Sequence, residues 1–218
     1  MKKLVSKYEV KKLFKDGMSV MVGGFLGCGS PEELLDIMVE EGVKDLTVIG
    51  NDSGFPDVSI GKLVVAGLVK KVITSHIGTN PETGRQLNEG ILEVDLVPQG
   101  TLVEQIRAAG SGLGGVLTPT GVGTVVEEGK KKLEIDGKEY LLELPIRADI
   151  AIIKGSKVDT EGNVFYAGTT RNFNPLMALA ADIVIVEAEE LVEAGEIAPE
   201  NVVTPGVLVD YILKGEQK

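Results

Sequence analysis

Tryptophan is absent from the 218-residue sequence, and aromatic residues make up only 4% of it. The core must therefore be aliphatic. Sulfur is scarce too: there is one cysteine, which excludes an internal disulfide and fits a reducing compartment. No apolar run reaches the ~18 residues of a membrane span. The start, Met1-Lys-Lys-Leu-Val-Ser-Lys7, lacks the apolar centre of a signal peptide. A cytoplasmic protein with no membrane partner is expected. Positive charge is also short. Lysine and arginine number 22 against 33 aspartates and glutamates, a formal net charge of −11. Such a chain is a poor non-specific binder of nucleic acid.

Glycine is what the chain has in excess. Its 28 residues are about 13% of the chain, against a usual ~7%. They cluster in short loops between apolar runs, which points to functional loops in a folded protein. The densest early cluster follows Val20-Met21-Val22, a run of buried-strand type. Gly23, Gly24, Gly27 and Gly29 clear side chains from the loop. Ser30-Pro31-Glu32-Glu33 then reads as a helix start with Ser30 as cap. Glycine costs backbone entropy, so the backbone here either takes positive φ or is approached closely. Tight packing alone is the plain alternative. The loop lacks the Gly-Lys-Ser/Thr of a phosphate loop and the spacing of G-x-G-x-x-G. Glu32 and Glu33 already complement the helix dipole and would repel a phosphate. The backbone is therefore expected to meet an uncharged part of a ligand, or to donate N–H groups to a developing oxyanion.

Along the rest of the chain, strands and helices alternate. Ser6-x-x-Glu9 is a capping box opening a helix to about Lys15. Leu34, Leu35, Ile37 and Met38 keep helical spacing until Gly42. Strands are expected at 46–50, 71–75 and 92–97, and helices at 60–68, 85–89 and 101–109, the last with Thr101-x-x-Glu104 as capping box. Residues 76–84 read as loop. After glycine-rich 110–123, Asp136-Gly137 marks a hairpin. A second sheet region follows, with buried strands at 148–154 and 183–186 and a helix at 172–181. Residues 187–200 read as a solvated acidic excursion, and Pro205-Gly206 leads into 207–213. The expected fold class is α/β: an open, mostly parallel sheet flanked by helices, with a small β-hairpin and second sheet region in the C-terminal half. The length suits a single domain over 1–218, and no internal repeat is evident.

Several residues stand out chemically. Asn51 and Gln99 each follow a strand end, and each has an amide able to donate to an oxygen bearing negative charge. Loop Asn and Gln are more commonly turn residues. A nucleophilic Cys28 would need a base, and nothing in the spacing places the sole histidine, His76, beside it. Lys130-Lys131-Lys132 reads as a solvated face. Arg107 and Arg171 are the basic residues nearest to these segments.

The glycine loop also carries a resemblance. Asp16-Gly17, the triplet Val20 to Val22, Gly23-Gly24-Phe25, then Gly29-x-Pro31 is similar to the α-subunit signature of the family I CoA-transferases. Pro98-Gln99-Gly100-Thr101-Leu102-x-Glu104, Gly110-x-Gly112, Ser75 to Pro81, Thr118 to Thr124 and Thr170 to Pro175 extend it over nearly the whole chain. Within the family it looks most like the acetate– and butyrate–acetoacetate type. The resemblance implies an amide at Gln99 beside the reacting thioester, with Asn51 in a similar role. It implies that Gly24, Phe25, Leu26, Gly27, Cys28, Gly29 and Ser30 bind coenzyme A, which serves as a thioester substrate and not as a permanently bound cofactor. No metal is implied. The family's nucleophile is a glutamate in a Ser-Glu-Asn-Gly motif of the β subunit, a motif absent from this sequence. The resemblance thus implies a half-enzyme, paired as α₂β₂, acting on acyl-CoA and short-chain carboxylates by ping-pong chemistry. Two other readings stay open on the residues alone. One is a Rossmann-like nucleotide-dependent enzyme with Asp52 on a ribose. The other is a non-catalytic module for CoA or a sugar phosphate.

Overall fold

The computed structural model describes residues 3–215. In chain order the elements are β1 (Leu4–Val5), α1 (Lys7–Lys11), β2 (Ser19–Val22), α2 (Glu32–Glu41), β3 (Leu46–Ile49), α3 (Ile60–Val65), β4 (Val69–Thr74), α4 (Pro81–Asn88), β5 (Glu93–Leu96), α5 (Gln99–Gly110), β6 (Val116–Thr118), β7 (Lys132–Ile135), β8 (Lys138–Glu143), β9 (Ala148–Asp159), β10 (Val164–Phe165), α6 (Asn174–Met177), β11 (Ala181–Val192) and β12 (Tyr211–Lys214). The main sheet runs β1-β12-β11-β9-β2-β3-β4-β5, with every neighbouring pair parallel. β10 adds to β9 antiparallel.

Helices cover both faces of this sheet, so its central strands are apolar on both sides and read as continuous runs. Alternate residues go to opposite cores. Val20, Val22, Ile150 and Ile152 pack with Leu34, Leu35, Met38 and Leu63 of α2 and α3. Met21, Ala151 and Ile153 pack with Leu102 and Ile106 of α5 and Met177 of α6. Each fully buried Leu or Ile here contributes roughly 1.5–3 kcal/mol.

β2 and β9 lie side by side at the centre. The chain winds outward from β2 through β3, β4 and β5 on one side, and from β9 through β11 and β12 on the other. That pair is the topological switch point, where ligands bind beyond the strands' carboxyl ends in sheets of this kind. The small antiparallel sheet β6-β8-β7 stands apart. Its hairpin turns at Asp136 and Gly137, both at positive φ (51° and 73°), as a two-residue Asp-Gly turn requires.

Several local expectations are corrected. The strands at 148–154 and 183–186 are parts of twelve-residue strands in the middle of the main sheet, not of a second sheet. β11 runs on through Glu187, which is buried, so the acidic excursion does not begin there. The helix expected at 172–181 is one turn, Asn174–Met177, since Asn172 is non-helical at φ 16°, ψ −120° and Ala181 already opens β11. α4 starts at Pro81, capped by Asn80, four residues before the expected Arg85. α1 stops at Lys11, although its Ser6–Glu9 capping box forms. α3 ends at Val65, and the segment from 207 opens with a 3₁₀ turn before β12. Lys130 is not simply solvated, since its Nζ lies 2.6 Å from the buried Glu143 carboxylate.

Candidate functional site

The glycine loop leaves β2 with the Gly23 N–H still donating to Ile152 O of β9 at 3.0 Å. It then turns into a small hairpin. Phe25 and Cys28 exchange backbone hydrogen bonds at 3.0 and 2.9 Å, and Leu26 and Gly27 form the turn at φ 47° and 85°. Two positive φ values in a row favour glycine, and the Leu26 position carries strain that its surroundings must hold.

Three side chains supply that hold. The Asp52 carboxylate, from the loop after β3, accepts the Leu26 N–H at 2.9 Å and the Gly54 N–H at 2.9 Å. Asn172 accepts the Gly24 N–H at 3.1 Å and donates to Cys28 O at 3.0 Å. Asn174, fully buried, donates to Gly29 O at 3.1 Å. Gly23 has no room for a side chain, since a Cβ there would lie 1.8 Å from Asn174 Oδ1. The N–H groups of Gly24, Phe25, Leu26 and Cys28 are therefore spent inside the protein. Among the described residues, the loop's uncommitted N–H groups are those of Gly27 and Gly29. Phe25 and Leu26 stand exposed at the tip.

The structure brings Asn51 and Gln99 together. Asn51 follows β3 and Gln99 opens α5, on strands two apart in the sheet. Gln99 Nε2 donates to Asn51 Oδ1 at 2.6 Å. Asn51 is 3% exposed, and its Nδ2 donates to Asp52 Oδ2 at 2.8 Å. Gln99 is exposed. A single chain of hydrogen bonds thus links Gln99, Asn51, Asp52 and the tip of the glycine loop. The buried amide is committed to its neighbours, and the exposed one presents its remaining hydrogen and its Oε1 to the surroundings.

Other expectations separate here. Ser30 is not the cap of α2. Pro31 holds the cap position, and the Ser30 hydroxyl donates to Ser59 Oγ at 2.9 Å. The Thr101-x-x-Glu104 capping box does not form. α5 starts two residues earlier, at Gln99, and the Thr101 hydroxyl is buried without a partner. Glu104 pairs with Arg107 instead. Cys28 is exposed, with its Sγ 3.3 Å from Thr169 Oγ1 and not against His76. No cluster of His, Cys, Asp and Glu able to hold a metal is present among the described residues. No helix among them is long and apolar enough to cross a membrane. Asp52, Asn172 and Asn174 were not singled out as the loop's anchors. Their signal in the sequence was faint: an Asn-Asp pair after a strand, and an Asn-Phe-Asn-Pro run that resembles a helix start.

Comparison with known proteins fits this geometry. Residues 6–215 match the model of the coenzyme A transferase family. The acetate CoA-transferase subunit alpha of Escherichia coli K12 is 57% identical over 215 residues, covering 99% of this chain and 98% of that one. The acetoacetyl-CoA:acetate/butyrate CoA transferase alpha subunit of Clostridium acetobutylicum is 58% identical over 212 residues, 97% of each chain. In fold, the chain superposes on the acyl-CoA transferase of E. coli O157:H7, solved as a thioester complex with CoA, with a TM-score of 0.87 at 24% identity. All of this chain and 48% of that one are covered, so the chain spans about half the length of that structure. The chain belongs to the coenzyme A transferase family, among its α-type subunits.

Proposed function

We propose that residues 1–218 form one α-subunit domain of a short-chain CoA-transferase. It moves CoA between an acyl-CoA, such as acetoacetyl-CoA or butyryl-CoA, and a carboxylate such as acetate. The observation that carries this reading is the Gln99–Asn51 amide pair, wired through Asp52 to the glycine loop at the switch point. An exposed amide fixed by a buried one is a preorganised donor for the oxyanion of a reacting thioester. Gly24 to Ser30 line the approach of the thioester, with the Phe25 and Leu26 side chains and the Gly27 and Gly29 N–H groups turned to it.

The nucleophile comes from a β subunit. Among the described residues two glutamates are buried, and both are engaged. Glu143 binds Lys130 and Gln105, and Glu187 binds the start of α2. Neither stands beside Gln99. In the proposed sequence, a partner glutamate attacks the acyl-CoA carbonyl, forming an acyl–glutamyl anhydride and releasing CoA thiolate. The thiolate attacks the glutamyl carbonyl, the first acid leaves, and the glutamyl-CoA thioester then passes CoA to the second acid by the reverse steps. Coenzyme A is substrate throughout, and no permanently bound cofactor is required. An α₂β₂ assembly in the cytoplasm completes the reading. Asp52 has both carboxylate oxygens committed to the protein, which weighs against a ribose-binding role.

The test is CoA transfer from acetoacetyl-CoA to acetate by this chain alone and with its co-purified partner. Activity in the mixture only, with borohydride inactivation mapping to the partner, is expected. Turnover by the lone chain would overturn the half-enzyme reading.

A further inference from the structure

α2 begins directly after the glycine loop, yet it has no local cap: Pro31 has no side-chain acceptor, and Ser30 is turned toward Ser59. The first N–H groups of a helix need partners. The Glu32 N–H donates locally to Ser30 O at 3.0 Å, but those of Glu33 and Leu34 find theirs 154 and 153 residues away. Glu187 Oε2, on β11, accepts the Glu33 N–H at 2.9 Å and the Leu34 N–H at 3.1 Å. Glu187 is 4% exposed and pairs in register with Lys154 of β9, whose Nζ lies 3.9 Å from its Oε1.

The same helical turn reaches the neighbouring loop. The Glu32 carboxylate accepts the Ser59 N–H at 3.0 and 3.3 Å. Ser59 sits at φ 58°, ψ −141°, a strained conformation for a residue with a Cβ. Contacts thus run from Glu187 through the first turn of α2 to the exits of both loops that carry the site.

We infer that Glu187 is a positioning residue: its ionised carboxylate fixes the first turn of α2 and, through it, the exits of the Gly23–Ser30 and Asn51–Ser59 loops. The inference rests on the proposed role of those loops. A protonated carboxyl can still accept a hydrogen bond but loses the negative charge that a helix N-terminus favours. Burial raises Glu187 to about 7, opposed by the Leu34 N–H, Lys154 and the Glu33 N–H, so the group titrates in the neutral range. The charged groups around it are Glu33 of α2, paired with Lys7 of α1, and Lys154 of β9. Glu32, Asp36 and Glu40 of α2 and Glu189 and Glu190 of β11 line the same cleft. Of these, Glu32 and Asp36 pair with Lys62, Glu40 with Lys11 and Glu190 with Lys157.

The experiment uses the complex with its partner subunit, as wild type, Glu187→Gln and Glu187→Ala, from pH 6 to 8.5. Backbone hydrogen exchange, corrected for intrinsic rates, is read beside the kinetics of CoA transfer. Opening of that turn alone removes the two N–H groups that lower Glu187's value and leaves the carboxyl buried on β11, the reverse of global unfolding. In wild type, protection at residues 32–36 and 55–61 should therefore rise about fivefold through neutral pH, with kcat following and KM for the acid nearly unchanged. Glu187→Gln should fold normally and show no such step, and Glu187→Ala should exchange fast throughout. An identical step in wild type and Glu187→Gln would overturn the inference, whatever Glu187→Ala does. Exchange needs no turnover. A complex that shows the step but transfers no CoA sinks the proposed function alone, and normal transfer without the step sinks only this inference.

Discussion

The loops after β2 and β3 are near copies built from different materials. Both end in a four-residue hairpin, Phe25 to Cys28 and Phe55 to Val58, closed by a backbone bridge. Both carry a half-exposed phenylalanine, and both hand over to a helix through a serine, Ser30 and Ser59, joined hydroxyl to hydroxyl. The tips touch, since a Cβ on Gly27 would come within 2.5 Å of Val58 Cγ1. Yet half of the first loop, Gly23 to Ser30, is glycine, whereas the second carries the polar run Asn51, Asp52 and Ser53. The side chains of the second hold the shape of the first. A loop stripped of side chains to admit a ligand cannot fix its own conformation, so a neighbour must.

Glycine substitutions should break the pair most severely. A Cβ on Gly54 would meet Val58 O at 2.4 Å and Gly61 N at 2.8 Å, both backbone atoms, at φ 68°. Gly54→Ala should cost more than ~3 kcal/mol, since clash adds to left-handed strain. Gly27→Ala, at φ 85° and facing only the Val58 side chain, should cost about 1–2 kcal/mol by thermal melting. Equal costs would mean that the two loops are not held as described.

Asp52→Ala should follow. It strands the Leu26 and Gly54 N–H groups and one amide, which should cost about 2–3 kcal/mol. Hydrogen exchange should rise at residues 24–28 as well as at 52–55. Exchange confined to the second loop would sever the proposed link.

For catalysis, Gln99→Ala should lower kcat about 10²-fold in the assembled enzyme, as loss of one oxyanion donor does. Asn51→Ala should cost less, and the double variant should fall short of the product of the two, with a coupling of about 1 kcal/mol. Additive losses would place the two amides in separate tasks.

Glu187 has a signed pH effect on stability. Its folded-state value, about 7, is raised above the ordinary 4.5 by burial. The folded state therefore keeps a proton that the unfolded state releases between those values. This group's contribution is full below about 4.5 and is lost as pH rises to 7, by up to about 3 kcal/mol. Relative to Glu187→Gln, wild type should lose melting temperature over that interval, and parallel curves would contradict it. The smallest effect belongs to the exposed tips: Phe25→Ala and Phe55→Ala should each change stability by under about 0.5 kcal/mol. A larger loss of kcat in Phe25→Ala than in Phe55→Ala would mark the first tip as the one that meets the ligand.

Much of this was legible in the sequence. Val20-Met21-Val22, Leu46-Thr-Val-Ile49 and Ala148 to Lys154 read as buried strands because both faces are covered. Gly42 and Asp136-Gly137 were legible because left-handed backbone selects those residues. Gln99 and Asn51 were legible as amides after strand ends, but their contact was not. Forty-eight residues separate them, and only the parallel sheet brings the carboxyl ends of β3 and β5 to one edge.

By itself the sequence determined the periodicities, the turns and the family, since each depends on residues close in the chain or on a pattern retained along it. The tertiary structure alone decided who caps whom. Ser30 and Thr101 had the form of helix caps, yet α2 is capped by Glu187 from a distant strand and α5 starts at Gln99. Within Thr170 to Pro175, Asn172 leaves the helix and Asn174 opens it, and both turn their side chains to the glycine loop. A polar side chain takes whichever partner the fold leaves unsatisfied and near, and that partner is chosen by strand order, which no local pattern encodes.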